Sequence, residues 1–204
     1  MNLKLLLGLA TTALLLSTTV QAEDNPDFSG SWTNLRDAGG GGPFGARREM
    51  PQLTQAAQAA RQDFLSVTQG TNHGAGNSCV GSGMPGSVLG SGGYPMEIVQ
   101  RPEQLFVIYE AHNEIRRIYI GDEAGDPETF FSERNGYSTA QWEDDRLIVE
   151  TTRLKTQVDS AYPHTDKATI REVYYLDESL EDGTRVLVNE LTMIDPEWLE
   201  EPYT

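Results

Sequence analysis

An all-β fold is predicted, an eight-stranded antiparallel meander closing into a small barrel with one short appended helix and a long glycine-rich loop. Three observations lead there. Tyr94 to Glu123, "YPMEIVQRPEQLFVIYEAHNEIRRIYIGDE", alternates apolar and polar residues over three concatenated stretches with turn residues between them. Alternation of the same period returns four times before Ile194. One strand-like segment precedes these, and eight is the number at which a sheet can close around a small ligand.

The opening segment is set apart from the rest. "MNLKLLLGLATTALLLSTTVQA" carries Lys4, an apolar run from Leu5 to Leu16, and Val20-Gln21-Ala22 before Glu23. This is the pattern of a secretory signal, and the run is too short to span a bilayer stably. Residues 1–22 are therefore expected to be removed, giving a periplasmic or secreted protein, with 23–204 forming a single barrel domain. Cleavage takes away Lys4, the one charged side chain there, and moves the formal net charge from −16 to −17. So acidic a surface disfavours nucleic acid and anionic membranes, and no membrane insertion is expected. The single cysteine, Cys79, excludes an intramolecular disulfide. It is read as a packed thiol in preference to a nucleophile beside His164.

The elements follow in order. Phe28–Thr33 reads as a short strand, and the four glycines from Gly39 to Gly42 make regular structure costly. "PQLTQAAQAARQDFL" places Leu53, Ala56, Ala57, Ala60 and Phe64 at helical spacing, with Pro51 suited to its entry. Its alanine-rich face suits close packing on a sheet or across a barrel mouth. Gln69 to Gly93 is glycine-rich, either a covering strap or disordered segment, or a lid. Strands are then expected at 95–100, 104–111, 114–121, 137–143, 146–154, 169–176 and 185–194. Breaks fall at Arg101-Pro102-Glu103, His112-Asn113, Asp144-Asp145 and Asp182-Gly183.

Two resemblances add to this. Gly30-Ser31-Trp32, in "DFSGSW" ahead of the meander, resembles the Gly-x-Trp opening of lipocalin-like (calycin) barrels. That likeness implies a tryptophan plugging one barrel end and a ligand entering at the other. Most of the chain after residue 22 resembles a group of exported, largely uncharacterised bacterial proteins. The shared series stands here as Tyr94–Gln100, Arg116–Tyr119, Trp142–Thr151, Pro163-His164-Thr165, and Asp195-Pro196 through Glu201-Pro202. Where that group often carries Gly-His-Ser, this chain has Gly136-Tyr137-Ser138. The likeness implies export and a β fold, and no common reaction.

Period-two arithmetic places charge among apolar residues. Arg116 shares a face with Ile118 and Ile120, and Arg117 shares the other with Ile115 and Tyr119. Glu172 lies with Ile170, Tyr174 and Leu176; Glu190 with Val186, Val188 and Ile194; Glu97 with Val99. Inward charges must be paired. The pattern thus fits a polar cluster of Glu97, Arg116, Glu172 and Glu190 with Tyr109, Tyr119 and Tyr174, and it fits cross-strand salt pairs on an outer face equally. His164, in a loop entering a strand, is the candidate general acid or base, or a ring that caps backbone carbonyls. His73 and His112 are read as structural.

No cofactor is expected. The histidines lack metal-ligand spacing, "GDEAGDPE" does not fit a calcium loop, and no P-loop, dinucleotide fingerprint or serine elbow occurs. The leading expectation is an interior pocket for a small apolar or amphipathic molecule. The alternative is cofactor-free acid–base catalysis, an isomerase or lyase in which His164 or Glu97 moves a proton and Arg116 stabilises the developing anion. A structural or inhibitory module of the envelope is the third.

Overall fold

The alternation between Tyr94 and Ile120 resolves into three strands because each turn supplies backbone that a strand cannot. The computed structural model describes residues 25–35, 50–71, 80–90, 94–159, 161–179 and 183–204. The expected signal segment, Gly39 to Gly42, His73 and Cys79 lie outside them. The described residues contain eight strands: β1 Gly30–Trp32, β2 Met96–Arg101, β3 Gln104–Tyr109, β4 Glu114–Ile120, β5 Tyr137–Glu143, β6 Arg146–Thr152, β7 Thr169–Asp177 and β8 Val186–Ile194. His112 and Asn113 both take positive φ at the β3–β4 turn, as Asp144 does between β5 and β6. These are conformations that Asn, Asp and His tolerate better than most residues.

The strands form one sheet in chain order, and two features depart from the expected closed antiparallel barrel. First, β4 and β5 run parallel, with Ile118, Tyr119 and Ile120 opposite Ser138, Thr139 and Ala140. A parallel pair needs a crossover of a dozen or more residues, which the connection from Gly121 to Gly136 provides. Gly136 ends it at φ +64°, where an added Cβ would stand 2.5 Å from the Thr152 carbonyl oxygen. Second, among the described residues no ladder joins β8 to β1, so the sheet is a curled half-barrel. The two edges still approach. The Arg185 Nη2 donates to the Asp27 carbonyl at 2.8 Å, and its guanidinium lies 5.8 Å from the Trp32 ring centre.

Trp32 is half-buried and does not plug an end. Phe28 takes the enclosed position, fully buried, with its ring 5.3 Å from that of Trp142 and 6.4 Å from that of Tyr174. The Gln100 side chain fixes this lead-in, accepting from the Phe28 amide and donating to the Pro26 carbonyl. A second apolar cluster gathers Met84, Leu154, Ile170 and Met193, and Val88 packs on both clusters.

The helix α1 runs Gln55–Thr68, capped by Thr54, whose Oγ1 accepts from the Ala57 amide. Only Ala57 is buried along it, so it covers neither sheet nor mouth as the alanine pattern suggested. It hangs instead from the C-terminal segment, through Thr54 to Glu197 and Trp198 and a Leu53–Leu199 bridge.

The described part of the glycine-rich tract, 80–90, is a strap containing the short helix α2, Gly86–Leu89. The Glu114 carboxylate accepts from the Gly83 amide at 3.1 Å and the Ser87 hydroxyl at 2.6 Å. Gly81 packs so closely on that carboxylate that a Cβ would fall 2.5 Å from it. Arg134 holds the other side, donating to the Gly81 carbonyl and pairing with Asp159 at 3.4 Å.

Candidate functional site

On the inner face of the curl, one row of alternating side chains from each of four strands carries a polar member. In β4 the row Arg116–Ile118–Ile120 is buried while Ile115 and Arg117 are exposed. In β5 and β6 the directly opposed Ser138 and Thr151 point the same way, with their hydroxyl oxygens 2.9 Å apart. In β7 the row is Ile170, Glu172 and Tyr174.

Arg116 is 1% exposed and Glu172 0%. The guanidinium crosses above the hydroxyl pair: Nε and Nη2 donate to Ser138 Oγ at 3.2 and 3.0 Å, and Nη2 donates to Thr151 Oγ1 at 2.9 Å. It then meets Glu172 two-pronged, Nη1 to Oε1 at 3.0 Å and Nη2 to Oε2. Glu172 Oε1 also accepts from the Tyr174 hydroxyl at 2.8 Å and from Asn189 Nδ2, on β8, at 2.9 Å. Burial alone would push the Glu172 carboxyl up. The Arg116 charge, aided by hydrogen bonds from Arg116, Asn189 and Tyr174, outweighs it and holds the acid below its ordinary value. Burial likewise opposes the charge on Arg116, and the Glu172 carboxylate overcomes it, so Arg116 stays ionised. Burial pushes the Tyr109 hydroxyl up to about 12, and burial together with Glu172 lifts Tyr174 well above its usual range, so both phenols are neutral.

A cavity of about 480 Å³ opens in front of this cluster, at the end of the curl where β1 and β8 approach. Its walls include Trp32 and Met96, Leu187 of β8, and Val88 and Leu89 of the strap. Tyr109, Tyr174 and Asn189 line it as well. Arg116 and Glu172 do not; they stand behind the tyrosines and the asparagine. Among the described residues that line the cavity, Asn189 carries a buried oxygen, Oδ1, without a hydrogen-bond partner. The volume falls within the usual range for small-molecule sites.

The structure therefore brings together Arg116, Glu172, Tyr174 and Tyr109, and it separates the others. Glu97 is exposed on the outer side of β2, because Met96, Ile98 and Gln100 form the inward row. Glu190 is exposed and accepts from the Tyr175 hydroxyl at 3.0 Å on the outer face. In β8 apolar residues occupy both faces, and the inward row is Leu187, Asn189, Leu191 and Met193. Tyr119 also points outward, stacked on Tyr137 at 5.1 Å with Arg117 beside it. Period two had already placed it opposite Arg116.

His164 is not at the cavity. It is fully buried and bridges Gln157 through the backbone. Its Nδ1 lies 2.8 Å from the Tyr162 carbonyl oxygen, an acceptor, so the proton sits on Nδ1 and Nε2 presents a lone pair without a partner. Burial keeps the ring's pKa below its usual value. The trio of His164, Glu97 and Arg116 therefore does not assemble. The neighbouring Thr165 instead ties two of the recurring sequence segments together: its amide and hydroxyl donate to Asp195, whose carboxylate also receives the Glu197 and Trp198 amides.

Sequence reasoning missed Ser138, Thr151 and Asn189. Each interrupts an inward row of apolar residues, Ser138 before Ala140, Thr151 after Leu147 and Val149, and Asn189 between Leu187 and Leu191. That interruption was the available signal. Among the described residues no group of three or more His, Cys, Asp or Glu could hold a metal ion, and no helix is long and apolar enough to cross a membrane. No family model matches the chain, and neither does any curated protein or solved structure.

Proposed function

We propose that the protein is an exported binder of a small, largely apolar organic molecule, held in the cavity between the curled sheet and the strap. The observation that carries this is the cavity itself, walled by Trp32, Val88, Leu89, Met96 and Leu187, with Tyr109, Tyr174 and Asn189 also lining it. Binding is favoured over acid–base catalysis by how fully the charges are engaged. Glu172 accepts four hydrogen bonds, and Arg116 donates to Glu172, Ser138 and Thr151. Neither lines the cavity, so neither is placed to move a proton or to meet an anion there. The cavity beside Trp32 lies at the end opposite to the one the lipocalin-like likeness implies for a ligand, while the apolar leader of residues 1–22 fits export.

Fluorescence titration with the neutral dye N-phenyl-1-naphthylamine tests the proposal. Saturable binding at one site is expected, with quenching of tryptophan emission. Leu187→Trp, which fills the cavity, is expected to abolish it while the circular dichroism spectrum is retained. Absence of dye binding, or binding indifferent to Leu187→Trp, overturns the proposal.

A further inference from the structure

Among the described residues that line the cavity, Arg185 alone is charged, in a chain of formal net charge −16. It stands two residues before Leu187, so it continues the inward row of β8, Leu187 and Asn189, beyond the start of the strand. Its side chain is exposed, which places it at the opening. The guanidinium is held from two sides, by the Asp27 carbonyl that accepts from Nη2 at 2.8 Å and by the Trp32 ring 5.8 Å away. Nε and Nη1 have no hydrogen-bond partner among the described residues, and no carboxylate there forms a salt bridge with the group. The Asp27 carboxylate turns instead to the Ser29 amide at 2.9 Å. Leu35 and Tyr94 also line the cavity and are 58% and 57% exposed, so the apolar wall itself reaches the opening.

Resting on the cavity reading above, we propose that the bound molecule is an amphipathic acid, its apolar chain against Val88, Met96 and Leu187 and its anionic head at the mouth on Arg185. The mouth is the favourable depth for such a head. A carboxylate carried further in would shed its hydration without gaining a cation, since Arg116 lies behind the wall. At Arg185 it keeps water on one side and meets a fixed positive charge on the other. A neutral head forgoes that attraction, and a cationic head meets repulsion at close range.

The test is competition against N-phenyl-1-naphthylamine at pH 8 by three ligands of one chain length, decanoate, 1-decanol and decylammonium. Decanoate is expected to displace the dye at about threefold to fivefold lower concentration than decanol, the scale of one exposed charge pair, with decylammonium weakest. Raising the salt from about 0.1 to about 0.5 M should narrow the gap. Arg185→Gln should remove the preference for decanoate, and Arg185→Lys should restore most of it. A guanidinium that only ties the two sheet edges together would shift the melting temperature without reordering the competitors. Dye binding with equal displacement by decanoate and decanol overturns the anionic head and leaves the cavity reading intact. So does a decanoate preference that survives Arg185→Gln. Failure of the dye to bind at all refutes both.

Discussion

Arg116 on β4 and Glu172 on β7 form a salt bridge although two strands separate them in the sheet. Three interstrand steps span about 14 Å in a flat sheet, beyond the reach of these side chains laid along it. The pair closes because the sheet curls, and it runs as a chord across the concave face with Ser138 and Thr151 beneath it.

Removing one end of that chord strands the other. Arg116→Met is expected to cost about 3–5 kcal/mol, since Glu172 is then left buried and uncompensated. Arg117→Met, on the exposed face of the same strand, should change stability by no more than about 0.5 kcal/mol. Urea titration of the two variants side by side gives the answer, and equal losses would mean the chord carries little of the fold.

Acid should act in two windows. The unfolded His164 imidazole takes up a proton as the pH falls through its ordinary 6.5, while the folded ring, held lower by burial, stays neutral. The unfolded state then binds more protons, so stability is complete above that pH and declines below it, until the folded ring also titrates. Glu172 has its folded pKa below the ordinary 4.5, so its contribution is complete above 4.5 and is lost as the pH falls further, through the folded value. His164→Gln should flatten the first decline and leave the second. A decline between about pH 7 and 5 that persists unchanged in His164→Gln would assign that limb to another group.

Phe28, not Trp32, should be the costly aromatic of the lead-in. Phe28→Ala empties a fully buried site and is expected to lose about 3–5 kcal/mol. Trp32→Ala, half-exposed at the cavity wall, should lose under about 2 kcal/mol yet remove most of the dye-induced change in tryptophan emission. Thermal melts with parallel dye titrations separate the two effects.

Glu114 is the fastening of the strap. Glu114→Ala unties the Gly83 amide and the Ser87 hydroxyl, and should raise hydrogen exchange at Gly83 by about tenfold or more. Because Val88 and Leu89 wall the cavity, the dye should also dissociate faster. Unchanged exchange at Gly83 would mean that Arg134 holds the segment alone.

Much of this was legible before any coordinates, and the limits have physical causes. Alternation identifies strands and the side on which residues share company, so all eight strands and the Arg116–Glu172 pairing could be anticipated. It does not say which side faces in when both are apolar. Val186 to Val188 in β8 is such a run, and there Glu190 was favoured over Asn189. Glu97 misled in the same way, because Ile98 and Val99 leave the parity of β2 undecided. Strand direction is absent from the pattern altogether. The parallel join of β4 and β5 depends on the crossover from Gly121 to Gly136, whose residues read as ordinary turns.

That parallel join also divides the chain into two local meanders. β1 to β4 and β5 to β8 are each built from ladders between strands adjacent in sequence, apart from the long connection between β1 and β2. Only three ladder pairs join β4 to β5. Arg116 belongs to the first half, while Ser138, Thr151, Glu172 and Asn189 all belong to the second. The halves therefore meet through a shared ion pair: Arg116 finds its counter-charge and its hydroxyl partners only when the second half closes over it. Each half thus supplies what the charge of the other lacks.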